Sequence, residues 1–434
     1  MTGISADTSA EDARALKSLG LPFWLYWSGQ TAASLGGAIA QFALPLIVFQ
    51  LTGSGLALGA GFAVSLVPQL LFGLVIGALG DRMDRRRVMV VTDFARAACI
   101  AVVPILALAG LLDVVTIYAV LFVQSVLGIF FQTASNAGVP RLVRREQLVR
   151  ANGQLQVGSS AAMIVGPFLA GLAVTVLPVT LLLFAESATF LISAITIVCI
   201  RVRLNEERRV RNSLEPVVTK LVREIGEGLS YVWRDATLRN ISIMMAIINF
   251  AGTTVTAQLP LFVKRQFGVG ESRLAWFYVA AGVGILLITS ISGIIRKRAG
   301  VRLALFGCLS LEGAFTILLG ITTHYWLALV FWAVSSGASV LFNVYTMSLR
   351  QALVPDELMS RVMSVAAVVA WSAIPLGALV GGAVIQAVRA PGIVYAGIGC
   401  TSLLVVALFL RSDLGRDVAS ANRVSPADDG GGRA

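Results

Sequence analysis

The sequence is poor in charged residues and contains only one histidine and four cysteines. Charged residues make up 13% of its 434 residues, about half the share found in a soluble domain. Its single histidine and its four cysteines show no metal-binding or disulfide spacing. A nucleophile–base arrangement and a phosphate-binding Gly-Lys motif are also missing. We therefore expect no enzyme, no bound metal, no cofactor and no ATP-driven pump.

Apolar residues, in contrast, make up 57% of the chain, and the mean hydropathy is +0.84. Because a membrane-spanning helix needs about 20 mostly apolar residues, the chain has room for about twelve of them. The sequence therefore predicts an all-α integral membrane protein with twelve transmembrane helices. The predicted helices 1 to 12 cover residues 23–50, 55–80, 88–110, 115–138, 154–176, 179–200, 240–263, 274–295, 303–321, 326–349, 362–388 and 392–411.

The distribution of basic residues predicts the orientation of these helices. The net charge of +11 would suggest a nucleic-acid partner in a soluble protein. Here 29 of the 34 Lys and Arg residues fall in tails and loops on one side, four fall on the other, and Arg96 lies within a predicted helix. Since short basic loops stay in the cytoplasm, we expect a multi-pass plasma-membrane protein with both termini cytoplasmic. Its partner is then the lipid bilayer, and no nucleic acid is expected.

The chain is predicted to consist of two pseudo-symmetric six-helix bundles. The segment LVRREQL (142–148) recurs as LVPDEL (353–358), and each joins the fourth helix of a half to the fifth. The linker contains Val218, Leu221, Ile225, Leu229 and Val232 at helical spacing, which predicts either an amphipathic helix at the membrane surface or a solvated tether. The predicted parts are a cytoplasmic tail (1–22), the N-terminal bundle (23–200), the linker (201–239), the C-terminal bundle (240–411) and a disordered tail (412–434).

A short charged loop joins predicted helices 2 and 3. It lies within GALGDRMDRRR (77–87) and contains four arginines. This pattern resembles the signature loop of the major facilitator superfamily, and the resemblance covers essentially the whole chain. Within that superfamily the chain is similar to the macrolide-efflux and enterobactin-exporter branch of drug–proton antiporters. Two further segments carry this resemblance, namely the linker EIGEGLSYVWRDATLR (224–239) and an antiporter-like pattern in predicted helix 5, made of Gly158, Gly166, Pro167 and Gly171.

The resemblance implies a conformational latch at the cytoplasmic face. Asp81 would face the start of predicted helix 11 in the outward-open state, where a helix N-terminus favours a carboxylate. The arginines of the loop would pair with Asp93 or across the interface with acidic residues of the second half. The sequence departs from the common pattern at Asp84, where glycine is usual, and at Lys297 in the second-half copy. The expected latch residues are Gly77, Asp81, Arg82, Arg85, Arg86, Asp93, Arg96, Asp356 and Glu357.

Polar residues recur along one face of predicted helices 1, 4, 7 and 10. Polar groups inside a membrane are costly and normally face the protein interior or a water-filled path. These stripes therefore predict an uncharged substrate cavity, which favours an amphipathic ligand over a phosphate or polycarboxylate. The alternative is that they form hydrogen bonds between helices. The expected cavity residues are Gln30, Ser34, Gln41, Gln124, Gln132, Asn136, Asn249, Thr253, Thr256, Gln258, Ser339, Asn343 and Tyr345.

Three acidic residues lie within the predicted spans, and each is a possible proton carrier: Glu186, Glu312 and Asp93. A carboxyl group shielded from water can bind and release a proton near neutral pH. The alternative for the two glutamates is a structural contact with a neighbouring helix. For Asp93, which is three residues from Arg96, we favour a role in the latch.

Together these features predict a monomeric secondary transporter. The expected activity is proton-coupled efflux of amphipathic small molecules, such as drugs, macrolide-like compounds or siderophores, by alternating access. One alternative is a lysophospholipid transporter of the same fold. A non-transporting membrane sensor or scaffold is a third possibility, which the four polar stripes disfavour.

Overall fold

A computed structural model of the protein describes residues 19–80, 83–202, 204, 226, 229–354 and 356–411. These residues are almost entirely helical. The α-helices, numbered in chain order, are α1 (Gly20–Thr52), α2 (Gly55–Gly80), α3 (Arg85–Leu108), α4 (Val114–Gly138), α5 (Leu148–Ala173), α6 (Leu183–Cys199), α7 (Ala236–Ala257), α8 (Leu259–Phe267), α9 (Glu271–Ser290), α10 (Ser292–Ile321), α11 (Tyr325–Leu353), α12 (Asp356–Val388) and α13 (Pro391–Phe409). Short 3₁₀ helices occupy Val139–Arg141, Arg145–Gln147 and Val179–Leu182.

Within the described part of the chain, twelve helices are long and apolar enough to cross a membrane. The prediction of twelve spans is thereby confirmed. Helices α7 and α8 together occupy predicted helix 7, so α9 to α13 correspond to predicted helices 8 to 12. Two helices begin six residues before their predicted starts, α5 at Leu148 and α12 at Asp356. Hydropathy missed these first turns because a helix can continue into water, where its polar residues are solvated.

Aspartate side chains cap three of the helices and explain where they begin. Asp84 accepts a hydrogen bond of 2.9 Å from the backbone N–H of Arg87 at the start of α3. Asp113 and Asp235 cap α4 and α7 in the same way. The hydrogen bonds that Thr116 makes to Asp113 lower the pKa of that carboxyl. Asp84, which replaces the usual glycine of the signature loop, therefore acts as a helix cap.

The break between α7 and α8 was not predicted. It falls at Gln258, and Pro260 lies in the first turn of α8, where its missing N–H is tolerated. The hydroxyl of Tyr395 donates to the carbonyl of Val255 at 2.6 Å, and the Tyr395 ring stacks on Phe262 with centroids 4.0 Å apart. These contacts satisfy and cover the backbone near the break.

The chain divides into two compact units. Unit 1 spans residues 1–53 and 64–213, and unit 2 spans residues 54–63 and 214–434. The core of unit 1 includes Phe23, Tyr26, Met89, Phe131 and Ile197. The core of unit 2 includes Met244, Phe306, Phe342, Tyr345 and Val406. The prediction of two six-helix bundles with a linker from 201 to 239 stays a prediction.

Two predicted features of the connecting segments differ from the structure or lie beyond it. The predicted amphipathic helix falls mostly on residues 205–225 and 227–228, which lie outside the described residues. Val232, assigned to its membrane-facing side, instead packs in unit 2 against Leu238, Val354 and Val362. The second-half copy of the signature loop, predicted around Lys297, has a helical backbone that is interrupted at Gly300, where φ is +70°.

Candidate functional site

A cavity of about 530 Å³ lies within unit 1 and receives side chains from α1 to α6. This volume is in the range of about 300–1,000 Å³ that is usual for small-molecule sites. Three of the predicted cavity residues, Ser34, Gln41 and Gln124, are in its wall. The remaining described wall residues are Gly37, Ala38, Ala40, Leu44, Ser65, Arg96, Ile100, Leu121, Ser125, Gly128, Ser159, Met163 and Glu186.

Two ionisable side chains face this cavity, Arg96 from α3 and Glu186 from α6. The expectation of an uncharged cavity is therefore wrong for this part of the protein. That expectation followed from the polar stripes on predicted helices 1, 4, 7 and 10. The wall also contains aliphatic side chains, such as Leu44, Ile100 and Met163. The cavity can thus accept a molecule with both an apolar body and a polar or charged group.

Arg96 is held by three neighbours. Its guanidinium lies 3.8 Å from a carboxylate oxygen of Asp93 and 4.0 Å from the ring centre of Phe190. Its Nε donates to the side-chain oxygen of Gln124 at 3.3 Å, and the Gln124 amide donates back to the Arg96 carbonyl at 3.0 Å. Since Asp93 is only 1% exposed, this ion pair is a fixed part of unit 1.

Glu186 differs from Asp93 in having no cation at ion-pair distance among the described residues. Its side chain is 7% exposed, and its Oε2 atom has no hydrogen-bond partner in the described part of the protein. A buried carboxylate without a partner is strongly disfavoured in its charged form. With Arg96 on the same wall, Glu186 thus offers a ligand a carboxyl oxygen that no described residue binds.

Glycines on α1 explain how α6 brings Glu186 to the cavity. A Cβ atom on Gly36 would lie 2.9 Å from the Glu186 Cα and closer still to the hydroxyl of Thr189. A Cβ atom on Gly29, two turns earlier, would similarly meet Ser193 and Thr196. The backbones of α1 and α6 can approach this closely because both positions lack a side chain. The seven-residue spacing of Gly29 and Gly36 is the sequence signal that could have identified this contact.

We expect alanine at Gly36 to impair transport more than alanine at Gly29. Either methyl group should force α1 and α6 apart and lower stability by about 1–3 kcal/mol. Only the alanine at Gly36 would contact the turn of α6 that contains Glu186. For each variant, gradient-driven uptake is measured and divided by the amount of folded protein. The thermal unfolding midpoint of each variant is measured as well. Equal loss of uptake at equal loss of stability would show that Gly36 does not position Glu186.

The glycines of the antiporter-like pattern pack against α1 from the other side. A Cβ atom on Gly166 would lie 2.6 Å from the Cβ of Ala38, and one on Gly158 would overlap Thr31. Pro167 and Gly171 are buried in the same helix. In the described unit 1, α5 is thus closely packed against α1.

The other residues of unit 1 that were predicted to line a cavity form hydrogen bonds with protein side chains. The Gln30 amide donates to the hydroxyl of Ser193 at 3.0 Å, which joins α1 to α6. Gln132 donates to Asn136 at 2.7 Å on the exposed side of α4. The structure does not place these three residues in the cavity wall described above.

In unit 2, most of the predicted cavity residues make backbone hydrogen bonds. The Asn249 amide donates to the Ala370 carbonyl at 2.9 Å and so joins α7 to α12. Gln258 is fully buried and donates to the Gly55 carbonyl at 2.7 Å. The side chains of three further residues also donate to backbone carbonyls: Thr253 to Asn249, Asn343 to Ser339, and Tyr345 to Ser292. Thr256 is exposed. For several of these residues, bonds between or within helices account for the polar stripes.

The predicted latch is described only in part. Asp81 and Arg82, and the side chains of Asp356 and Glu357, lie outside the described residues. A methyl group at Gly77 would meet no atom within 4 Å. Arg85 donates to the carbonyls of Ala137 and Leu204 at 3.0 and 2.9 Å, and Arg86 donates to Val198. Both arginines thus bind helix ends within unit 1.

Glu312, the third possible proton carrier, is buried between helices of unit 2. It is 6% exposed, and its Oε1 lies 3.5 Å from the hydroxyl of Thr316. Thr316 in turn contacts the hydroxyl of Ser335 at 2.8 Å. This environment contrasts with that of Glu186, which faces an open cavity.

Twelve helices that can cross a membrane, counted among the described residues, and a cavity of mixed polar and apolar lining are typical of a membrane transport protein. Residues 26–298 match the family model described as Major Facilitator Superfamily, and the chain belongs to this superfamily. The predicted fold class is thereby confirmed, and the chain is a multi-pass membrane transporter.

The chain is similar to curated efflux proteins. It is 28% identical over 308 residues to macrolide efflux protein A of Streptococcus pyogenes, covering 68% of this chain and 75% of that protein. It is 27% identical over 372 residues to the multidrug efflux pump Tap of Mycolicibacterium fortuitum, covering 83% and 88%. The predicted resemblance to a drug-efflux branch is confirmed by these matches.

Solved structures share the fold at low sequence identity. The nucleoside transporter NupG matches with a TM-score of 0.73 and 11% identity, covering 90% of this chain and 98% of that one. A bacterial homologue of the iron transporter ferroportin, in an inward-facing state, matches with a TM-score of 0.71 and 16% identity, again covering 90% and 98%. These matches support the fold and leave the substrate open.

Proposed function

We propose that this protein is a proton-coupled exporter of amphipathic small molecules that works by alternating access. It acts in the cell membrane as a monomer, with both termini in the cytoplasm. The observation that carries the proposal is a cavity whose wall combines aliphatic side chains, amides and hydroxyls with one unpartnered carboxyl group, Glu186. The similarity to macrolide and multidrug efflux proteins supports the direction of transport and the kind of substrate.

Glu186 is the coupling residue in this proposal. An antiporter needs a carboxyl group that both the proton and the substrate can reach. Glu186 faces the cavity, whereas Asp93 is paired with Arg96 and Glu312 is enclosed by helices of unit 2. Of the three acidic residues in the spans, only Glu186 therefore meets the requirement.

The latch at the cytoplasmic face belongs to the same proposal. Asp81 would hold one state by contacting the start of α12, and the charged groups around it would share the interaction. A few kcal/mol spread over several contacts suffices, since a latch must open in every cycle. Arg85 and Arg86 support it from unit 1 by fixing the ends of α4 and α6 next to the signature loop.

Reconstitution into liposomes tests the coupling. With an acidic interior and a neutral exterior, we expect radiolabelled erythromycin or tetraphenylphosphonium to accumulate against its gradient. Nigericin, which collapses the pH gradient, should reduce the accumulation to the level of protein-free liposomes. An uptake that nigericin leaves unchanged would contradict proton coupling. Rapid transfer of a fluorescent lysophospholipid between leaflets, without uptake of either compound, would instead favour the lipid transporter.

A further inference from the structure

We propose that Gly37 of α1 and Gly128 of α4 determine which substrates the cavity of unit 1 accepts, because the space left by their missing side chains holds the widest part of the substrate. The substrate class is then amphipathic molecules with a bulky apolar body, in which several rings or branches surround a centre. This selection by size rests on the proposed function and refines the substrate class at the same cavity.

The two glycines have free space at the point where a side chain would begin. Both are wall residues of the cavity. A Cβ atom built on Gly37 or on Gly128 would meet no atom of the described residues within 4 Å. Neither glycine therefore serves the close packing of the described helices. A side chain at either position would instead extend into the space that a ligand can occupy.

The neighbouring glycine of α1, Gly36, shows the opposite arrangement. A Cβ atom on Gly36 would lie only 2.9 Å from the Cα of Glu186 on α6, so this glycine is needed where the two helices touch. Successive residues of an α-helix point about 100° apart around its axis. The pair therefore places Gly36 against α6 and Gly37 at the cavity, and substitutions at the two positions can separate helix packing from cavity size.

Polar wall residues flank both free spaces. On α1, Ser34 and Gln41 lie one turn before and one turn after Gly37, and on α4, Gln124 lies one turn before Gly128. Residues three or four apart share a helix face. A substrate that fills the space beside either glycine is thus next to groups that can form hydrogen bonds with it. A side chain added at the glycine would take up volume and separate the substrate from these groups.

The width of the cavity explains why a bulky body is favoured. The cavity has a volume of about 530 Å³, and Leu44, Ile100 and Met163 contribute apolar atoms to its wall. Dispersion contacts are lost wherever a gap separates the ligand from the wall. A narrow molecule, such as one with a single acyl chain, would leave the space beside the two glycines unfilled. A molecule with several rings around a centre can contact α1 and α4 together and therefore binds more tightly.

Two phosphonium cations of equal charge test the selection by size in the purified full-length protein. Tetraphenylphosphonium has four phenyl groups, whereas methyltriphenylphosphonium has a methyl group in place of one of them. The dissociation constant of each cation is measured by isothermal titration calorimetry at the same pH, so the charge of the ligand and the protonation of the protein do not differ. We expect the unmodified protein to bind tetraphenylphosphonium at least about threefold more tightly.

Valine at either glycine should remove this preference. Gly37→Val and Gly128→Val should each weaken tetraphenylphosphonium binding at least about tenfold, and methyltriphenylphosphonium binding less than about threefold, because the smaller cation leaves room for the added methyl groups. The corresponding alanine variants should show a smaller change in the same direction. The thermal unfolding midpoints should stay within about 2 °C of that of the unmodified protein, in contrast to Gly36→Ala.

Gly397→Val is the matched control. Gly397 lies on the exposed face of α13 in unit 2, is not a wall residue of the cavity, and also has free space within 4 Å in the described part of the protein. This variant adds the same side chain to a membrane helix and should leave both dissociation constants unchanged. If a valine variant does not purify as a monodisperse protein, the alanine variant at that position decides by the same comparison.

The outcomes separate the selection by size from the proposed function. Unchanged binding in the folded variants, or an equal loss for both cations, would overturn the role of the two glycines. An unmodified protein that binds neither cation, or binds both equally, would overturn the bulky substrate class. Gradient-driven uptake that persists in these cases leaves the exporter standing. Size-selective binding without any gradient-driven uptake would support the glycines and contradict the exporter.

Discussion

The Glu186→Gln variant is expected to lose gradient-driven accumulation completely while it remains folded. The amide keeps the size of the side chain but can neither release a proton nor bind a cation. We expect substrate uptake into liposomes to fall to that of protein-free vesicles. Downhill exchange of a neutral compound, which requires no proton, should continue because the cavity is unchanged.

Glu312→Gln is the matched control for this change. It removes an equally buried carboxyl group from a helix of unit 2, since Glu312 is 6% exposed and Glu186 is 7% exposed. Its neighbours are the hydroxyls of Thr316 and Ser335 rather than a cavity. Accumulation by Glu312→Gln should be close to that of the unmodified protein. Loss of accumulation in this variant, with Glu186→Gln active, would assign the coupling to unit 2.

Replacing Arg96 by methionine should lower the stability of the protein more than alanine at Gly29 or Gly36 does. The change leaves Asp93, which is 1% exposed, without its partner. Removing one member of a buried ion pair costs about 3–5 kcal/mol, and the contact with the Phe190 ring is lost as well. We expect a lower thermal midpoint and a lower yield of monodisperse protein. The exposed Arg145 provides the control, because Arg145→Met should change stability by no more than about 0.5 kcal/mol.

A second change distinguishes the ion pair from the packing of Arg96. The double variant Asp93→Asn with Arg96→Met has no buried unpaired charge and should recover most of the lost stability. If the double variant is as unstable as Arg96→Met alone, the arginine stabilises unit 1 through its contacts with Phe190 and Gln124 and not through Asp93.

The helices and their number could be predicted from hydropathy because lipid admits few alternatives. A span must be apolar and must satisfy its own backbone, so length and composition are enough. The break at Gln258 could not be predicted in the same way. The backbone around it is bound by the hydroxyl of Tyr395, which lies 140 residues from its acceptor Val255, and Gln258 itself binds the Gly55 carbonyl. Contacts this distant leave no local pattern.

The candidate site was predicted only in part, and the errors have one physical cause. Ser34, Gln41 and Gln124 were found because polar residues on one helix face repeat at a regular spacing. Arg96 and Glu186 were predicted to be a latch residue and a possible proton carrier, because cavity residues were sought only on predicted helices 1, 4, 7 and 10. Their placement depends on how closely helices approach, which is set by small residues such as Gly36.

Asn249 and Gln258 show the opposite error. Both were predicted to line a cavity, yet both donate to backbone carbonyls of neighbouring helices. An amide in a membrane helix can satisfy either a ligand or a neighbouring backbone, and spacing alone does not distinguish the two.

The proton count of substrate binding tests the central claim most directly. Tetraphenylphosphonium is added to purified protein in weakly buffered detergent solution near neutral pH, and the released protons are measured with a pH indicator. The account predicts release of up to one proton per bound cation by the unmodified protein and by Glu312→Gln, and none by Glu186→Gln. Binding of the cation without proton release by the unmodified protein, at every pH from acidic to neutral, would contradict the account.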